Sequence, residues 1–136
     1  MKQYLSIFLF VALSIATVNC NTGQTQKADE QGGISKVLDP SAFNQGMNGQ
    51  QLIDVRTPRE FNAGHIEGAL NMDISNSGFK TMLAEMDKEK PVYLYCRSGR
   101  RSASAAKMLN KMGFSEVYDL KGGILNWQRS QLQLVK

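Results

Sequence analysis

Cysteine and histidine are scarce in this sequence, whose 136 residues include two cysteines and a single histidine. Only one of the cysteines, Cys96, falls in the part of the chain that has the composition of a folded domain, so no disulfide can form within that domain. Cys96 and His65 are too few soft ligands for a closed zinc site, which is almost always four-coordinate. The sequence therefore predicts no structural disulfide and no metal, and we expect no cofactor.

The sequence also lacks a hydrophobic run long enough to cross a membrane comfortably. The apolar run at the N-terminus, residues 5–18, has 14 residues, whereas a transmembrane helix needs about 20. This run follows the basic residue Lys2 and precedes a polar segment, an order that is typical of a secretory signal peptide. We therefore predict that residues 1–19 are a signal peptide and that the protein is exported.

Cys20 lies directly after this apolar run and directly before a polar stretch, where a bacterial lipoprotein places its lipidated cysteine. The preceding residues, Thr17-Val18-Asn19, match the usual lipobox only loosely. We expect Cys20 to carry a lipid anchor, which makes the protein a periplasmic or membrane-anchored lipoprotein of a bacterium with no other membrane contact. The alternative is ordinary cleavage nearby, which would leave Cys20 free or remove it.

Large apolar side chains are missing from residues 21–33. Low hydrophobicity together with many Gly and Gln residues favours a flexible tether. We place this tether at residues 20–33 and a single folded domain at residues 34–136. A domain of about 100 residues is an ordinary size for one hydrophobic core.

An excess of charge of one sign is nearly absent, since 16 Lys and Arg face 12 Asp and Glu for a net charge of +4. Nucleic-acid binding usually shows a basic stripe with aromatic stacking positions. The only dense basic cluster here is formed by Arg97, Arg100 and Arg101 beside Cys96. Such a local cluster indicates a small anionic ligand, and we expect no nucleic-acid partner.

Strand-like and helix-like segments alternate along the predicted domain. The predicted strands are residues 34–38, 51–55, 69–72, 91–95 and 116–118. The predicted helices are residues 40–46, 58–62, 79–87, 102–112 and 124–130. Because parallel strands need crossover connections, this order predicts an α/β domain with a mainly parallel central sheet flanked by helices.

Cys96 directly follows the predicted strand 91–95, at the edge of the sheet where open α/β domains bind their ligands. A turn that leads into a helix presents N–H groups without intrahelical partners, and these groups bind anions. They would favour the thiolate of Cys96, which is its nucleophilic form. Gly99 allows a tight turn, and Ser102 is predicted to cap the next helix, about six residues after Cys96. The alternative is a buried strand-end cysteine beside a solvated basic turn.

The segment Cys96-Arg97-Ser98-Gly99-Arg100-Arg101-Ser102 resembles the active-site loop of single-domain rhodaneses. Residues 54–71 resemble the N-terminal signature of the same family, with Asp-Val-Arg at their start and Gly-His-Ile-Glu-Gly-Ala near their end. Residues 120–127, Leu-Lys-Gly-Gly-Ile-Leu-Asn-Trp, resemble its C-terminal signature. The three segments stand in the order found in the family.

This resemblance implies a rhodanese-like fold and a thiosulfate-type sulfurtransferase. Cys96 would be the catalytic residue, taking sulfur from a small anionic donor as a persulfide and passing it to a thiol, to cyanide or to an acceptor protein. The implied substrate-binding residues are Arg97, Ser98, Gly99, Arg100, Arg101 and Ser102. From their positions, we expect Arg97 and Arg101 to steer the donor more than Arg100 does.

Four polar residues close to one another in the sequence invite a catalytic interpretation. They are Asp54, Arg56, Glu60 and His65. Because they fall at a strand end and in the turn that follows, we predict that they form a structural network of hydrogen bonds and ion pairs beside the site.

Three other functions are compatible with parts of the pattern. A phosphatase or arsenate reductase would need an arginine six positions after the cysteine, where this chain has Ser102 instead. A partner-binding module without catalysis typically lacks the cysteine, which is present here. A persulfide carrier that delivers sulfur to a dedicated protein fits the sequence as well as a free-standing enzyme does.

Overall fold

The computed structural model describes residues 33–136, so the predicted signal peptide, Cys20 and most of the predicted tether lie outside the described residues. Strands and helices alternate throughout this part of the chain. In chain order they are β1 (Ile34–Leu38), α1 (Pro40–Gly46), β2 (Gln51–Asp54), α2 (Pro58–Asn62), β3 (Leu70–Asn71), α3 (Phe79–Ala84), β4 (Val92–Tyr95), α4 (Arg100–Lys111), β5 (Glu116–Leu120) and α5 (Gly123–Arg129). Within the described range, none of the helices has both the length and the hydropathy needed to span a bilayer.

The strands form one five-stranded sheet in the order β1-β5-β4-β2-β3, and all of their pairings are parallel. Strand β4 therefore lies at the centre of the sheet, between β5 and β2. Its carboxyl end leads directly to Cys96. The predicted α/β fold with a parallel central sheet is confirmed, and the predicted nucleophile lies at the middle of the edge where such sheets bind ligands.

Both faces of the sheet are covered by helices, and β4 shows how the chain builds the two cores. Val92 and Leu94 pack with residues of α3 and α4, whereas Tyr93 and Tyr95 pack with residues of α1 and α5 on the other side. Alternate side chains of a strand point to opposite faces, so a strand between two helical layers is apolar throughout. Trp127 of α5 is 3% exposed and packs in the core that contains Tyr93 and Tyr95.

Two helices have the predicted bounds, because local signals define them. Both α1 and α2 begin with proline, which is well suited to the first turn of a helix. Helix α2 also has a capping box: the Thr57 hydroxyl accepts the N–H of Glu60, and the Glu60 carboxylate accepts the N–H of Thr57. Helix α3 ends at Ala84 instead of residue 87, while β5 extends to Leu120.

The start of α4 differs from the prediction. The helix begins at Arg100, four residues after Cys96, and its N-cap is Gly99 without a side-chain cap. Gly99 has a left-handed φ of 101°, which reverses the chain so tightly that the helix starts at once. The prediction that Ser102 caps this helix was therefore wrong, and its side chain makes different contacts.

Candidate active site

The thiol of Cys96 lies at the carboxyl end of β4 beneath the loop that leads into α4. Cys96 is 1% exposed, its Sγ accepts the N–H of Gly99 at 3.1 Å, and it faces the Ser102 hydroxyl at 3.5 Å. Burial opposes ionisation of the thiol, but hydrogen bonds from Ser102, Gly99 and Ser98 outweigh it, and the pKa of Cys96 is lowered. The loop therefore favours the thiolate by directing its donors inward at the sulfur.

The conformation of Gly99 gives the loop this shape. A left-handed φ costs a residue with a side chain roughly 1–2 kcal/mol, a cost that glycine avoids. The turn at Gly99 directs its own N–H at the sulfur and brings Ser102 of the first helical turn over it. The turn at Gly99 thus directs both a backbone N–H and the Ser102 hydroxyl at the sulfur of Cys96.

Helix α5 holds the loop in place through two backbone hydrogen bonds. The N–H of Ile124 donates to the carbonyl of Cys96 at 2.9 Å, and that of Leu125 donates to the carbonyl of Arg97 at 3.2 Å. A Cβ on Gly123 would lie 2.5 Å from the Cys96 carbonyl oxygen. Gly123, known from the sequence only as part of a family signature, is therefore needed for close approach of α5 to the loop.

Arg101 forms a bidentate ion pair with Glu60, which lies 41 residues earlier in α2. Its two terminal nitrogens donate to the two carboxylate oxygens at 2.8 Å and 2.7 Å. The bond from Arg101 is the largest influence on Glu60 and lowers the pKa of this carboxyl to about 2. Glu60 in turn raises the pKa of Arg101, and the nearby Cys96 adds to that rise. Arg101 therefore lies near the sulfur, but Glu60 balances its charge.

Of the other three polar residues predicted to be structural, Asp54 and Arg56 lie at the end of β2, whereas His65 lies in the turn after α2. The guanidinium of Arg56 donates to Asp54 at 2.6 Å and to the carbonyl of Gly64 at 2.7 Å. His65 stacks on Phe61 with 3.8 Å between ring centroids, and its Nδ1 lies 3.2 Å from the Phe61 carbonyl oxygen. The bond from Arg56 connects the end of β2 to the turn after α2, and the His65 contacts hold that turn against α2. Glu60, in contrast, reaches across to α4.

The remaining loop side chains differ in how far they reach into solvent. Arg97, Ser98 and Arg100 are exposed, whereas Ser102 is fully buried. Within residues 33–136, no three His, Cys, Asp or Glu side chains are grouped closely enough to hold a metal ion.

Asp119 of β5 is a buried carboxyl near this site that was not predicted from the sequence. It is 4% exposed, and burial raises its pKa to about 6 although hydrogen bonds from Ser102 and from the Leu120 N–H oppose the rise. The sequence did contain a signal for this burial, because side chains two residues apart on a strand face the same side of the sheet. Val117, two residues before Asp119, is buried on the α4 side.

Comparison with known proteins agrees with this geometry. Residues 39–130 match the family model of the rhodanese-like domain. The Bacillus subtilis protein YqhL, itself uncharacterized, is 47% identical over 94 residues, which cover 69% of this chain and 73% of YqhL. The tRNA uridine(34) hydroxylase of Pelagibacter ubique is 36% identical over 96 residues, which cover 68% of this chain but only 32% of that protein.

Solved structures show the same fold. The crystal structure of a rhodanese-related protein from Thermoplasma volcanium has a TM-score of 0.67 and 25% sequence identity, covering 74% of this chain and 97% of that one. A rhodanese-like domain protein from Staphylococcus aureus has a TM-score of 0.60 and covers 68% of this chain and 90% of its own. Sequence, fold and loop agree, and the chain belongs to the rhodanese-like domain family.

Proposed function

We propose that this protein is a sulfurtransferase in which Cys96 carries sulfane sulfur as a persulfide. The observation that carries the proposal is the thiol of Cys96 held beneath inward-pointing N–H and hydroxyl donors, which lower its pKa. A thiolate attacks sulfur far faster than a thiol does. The same donors would also stabilise a negative charge on a terminal persulfide sulfur.

The reaction consists of two displacements at sulfur. In the first, the Cys96 thiolate attacks the outer sulfur of a thiosulfate-like donor, a new S–S bond forms, and the donor S–S bond breaks with its electron pair leaving on sulfite. In the second, a thiophilic acceptor such as cyanide or a thiol attacks the outer sulfur of the persulfide. The S–S bond to Cys96 then breaks, and the thiolate is regenerated without any external oxidant or reductant.

The arginines near the loop divide into two kinds. Arg101 is paired with Glu60, so its charge is balanced before any donor arrives. Arg97 and Arg100 are exposed at the mouth of the loop and are not in the ion pairs formed by residues 33–136. We therefore assign the steering of the anionic donor first to Arg97 and Arg100, which gives Arg100 more weight than its sequence position suggested.

The burial of Cys96 restricts the shape of the donor. With 1% of the residue exposed, the thiolate can meet a single projecting sulfur atom more readily than a bulky group. The terminal sulfur of thiosulfate has this shape. An acceptor protein would need to present its thiol on a narrow protrusion.

The proposal is tested by steady-state transfer of sulfur from thiosulfate to cyanide. Cys96→Ser keeps the size of the side chain but replaces the thiolate by a much weaker nucleophile, so activity should vanish. Cys20→Ser is the matched control, because it removes the other cysteine of the chain and should leave the rate unchanged. Full activity in Cys96→Ser, or hydrolysis of an aryl phosphate faster than sulfur transfer by the wild type, would contradict the proposal.

A persulfide carrier would share the first displacement and differ in the second. Such a protein would accept sulfur from thiosulfate at Cys96 but return it to cyanide slowly. Comparing the rate of loading with the rate of turnover in the same preparation separates the two forms of the proposal.

A further inference from the structure

The exposed face of α4 carries a row of basic side chains that begins at the mouth of the Cys96 loop. Arg100, Lys107 and Lys111 are exposed, and their helical spacing places them on one side of α4, opposite its buried side. At the usual helical rise, the row is about 16 Å long. We call these three residues the α4 basic stripe.

Neighbouring carboxylates do not balance the charge of the α4 basic stripe. Helix α4 contains no acidic residue, and none of the three stripe residues is in an ion pair formed by residues 33–136. Two other cations beside the mouth are balanced, because Arg101 is paired with Glu60, and Lys121, at the end of β5, is paired with Asp39. An incoming anion therefore meets unbalanced positive charge along α4.

The stability of the helix does not account for the α4 basic stripe. Arg100 begins α4, where the helix dipole is positive and disfavours a cation. Lys107 and Lys111 are one turn apart and repel each other, although Lys111, in the last turn, gains from the dipole. Helix faces that serve only as solvated surface usually mix charges of both signs. A negatively charged partner explains the stripe better than helix stability does.

The length and composition of the α4 basic stripe indicate what kind of partner it fits. Thiosulfate can contact only the end at the mouth, whereas about five residues of extended peptide, at about 3.3 Å each, span the whole stripe. A membrane-binding helix inserts its apolar face into the lipid, but the apolar face of α4 is buried in the core. Helix α4 also has no aromatic residue on which nucleic-acid bases could stack. An acidic protein segment fits best.

We propose that the α4 basic stripe docks an acidic segment of an acceptor protein and brings that protein's cysteine to the mouth of the loop. This role rests on the proposed function, because the docked protein receives the sulfur of the Cys96 persulfide. The acceptor thiolate attacks the outer sulfur and forms a new S–S bond, and the bond to Cys96 breaks with its electron pair returning to the Cys96 thiolate. Since Cys96 is only 1% exposed, docking along α4 raises the fraction of encounters that reach the sulfur.

The experiment measures sulfur transfer to a synthetic acidic peptide. The full chain carrying Cys20→Ser is loaded with thiosulfate, freed of reagent and mixed with a peptide in which a cysteine near the N-terminus is followed by a run of glutamates. A second peptide has glutamines in place of the glutamates. Mass spectrometry follows the sulfur on each peptide at about 0.1 M salt, where the screening length is about 10 Å. We expect the glutamate peptide to react roughly tenfold faster than the glutamine peptide.

Charge reversal in the protein separates docking from the intrinsic reactivity of the two peptide thiols. Lys107→Glu combined with Lys111→Glu should slow transfer to the glutamate peptide roughly tenfold and leave transfer from thiosulfate to cyanide unchanged. Both side chains are exposed, and glutamate forms helices about as well as lysine. The matched control combines Lys36→Glu with Arg129→Glu. It makes the same change of charge on the other side of the sheet, where Lys36 is the register partner of Tyr118 and Arg129 ends α5, and both rates should stay nearly unchanged.

Three results would overturn the docking role of the α4 basic stripe. One is equal transfer to the two peptides by the protein with an intact stripe, and another is an equal loss in the two double variants. The third is stripe-dependent binding to vesicles of equal parts phosphatidylglycerol and phosphatidylcholine without a preference between the peptides, which would assign the stripe to a lipid surface. Failure to load sulfur from thiosulfate would overturn the proposed function and this role with it, whereas normal loading and cyanide turnover without a peptide preference would overturn this role alone.

Discussion

Replacing Gly123 by alanine tests whether the contact between α5 and the loop positions the reactive sulfur. The added Cβ would lie 2.5 Å from the Cys96 carbonyl oxygen and 2.6 Å from the Arg97 carbonyl, and both are backbone atoms that cannot swing away. The loop or the helix must therefore move by a substantial fraction of an ångström. That movement stretches the two hydrogen bonds by which α5 holds the loop.

The magnitude follows from three contributions. Gly123 has a φ of 61°, where alanine costs about 1–2 kcal/mol relative to glycine. Each of the two hydrogen bonds contributes roughly 0.5–1.5 kcal/mol. Gly123→Ala should therefore destabilise the protein by about 2–5 kcal/mol, and displacement of the preorganised donors around Cys96 should reduce sulfur transfer by at least about tenfold.

Gly113→Ala is the matched control for this prediction. Gly113 also has a left-handed φ, 85°, but a Cβ there would meet no other atom within 4 Å. It should cost only about 1–2 kcal/mol in urea unfolding and leave sulfur transfer unchanged. Equal losses of stability and equal activities in the two variants would refute the claim that α5 positions the loop.

Three further predictions concern other parts of the chain. Glu60→Gln keeps the capping box but removes the charge that balances Arg101. Because the pair is partly exposed, the free energy of unfolding should fall by only about 1 kcal/mol, and KM for thiosulfate should also fall. An unchanged KM would show that Arg101 does not reach the donor. Burial raises the pKa of Asp119 to about 6 from its ordinary value of 3.8, so the folded state binds this proton more tightly and the resulting stabilisation is lost as the pH rises through that window. Relative to Asp119→Asn, the wild type should lose about 3 kcal/mol of unfolding free energy between about pH 4 and pH 7, measured by urea unfolding. A stability difference between the two proteins that does not change with pH would contradict the raised pKa. We also propose that residues 1–20 export and anchor the protein. The wild type should then partition into the bacterial membrane fraction, and Cys20→Ala should change its processing or release it. A mature wild type that is wholly soluble and has an N-terminus other than Cys20 would contradict this.

The parts of the structure that were predictable from the sequence depend on local signals. Proline in the first turn and the capping box of Thr57 and Glu60 define α1 and α2, and the unbroken apolar run of β4 indicates a strand covered on both faces. Cys96 was placed correctly at the end of this strand, because a turn of Gly and Arg follows it directly.

The parts that could not be predicted depend on contacts between distant segments. Glu60 and Arg101 lie 41 residues apart, so nothing local indicates that the arginine is already paired. The start of α4 was placed late because Ser102 looked like a cap, whereas its hydroxyl faces the sulfur beneath the helix. Asp119 was overlooked because the predicted strand ended at residue 118 and an aspartate outside a strand is ordinarily exposed, whereas β5 extends to Leu120 and packs against α4.

Intact-mass spectrometry shows directly whether Cys96 carries the transferred sulfur. The full chain carrying Cys20→Ser is treated with excess thiosulfate, freed of reagent and weighed before and after addition of cyanide. We expect a gain of one sulfur atom that cyanide removes, and no gain when Cys96→Ser is added to the same chain. No gain in the protein that retains Cys96, or an equal gain in the one that lacks it, would contradict the claim that Cys96 carries the transferred sulfur.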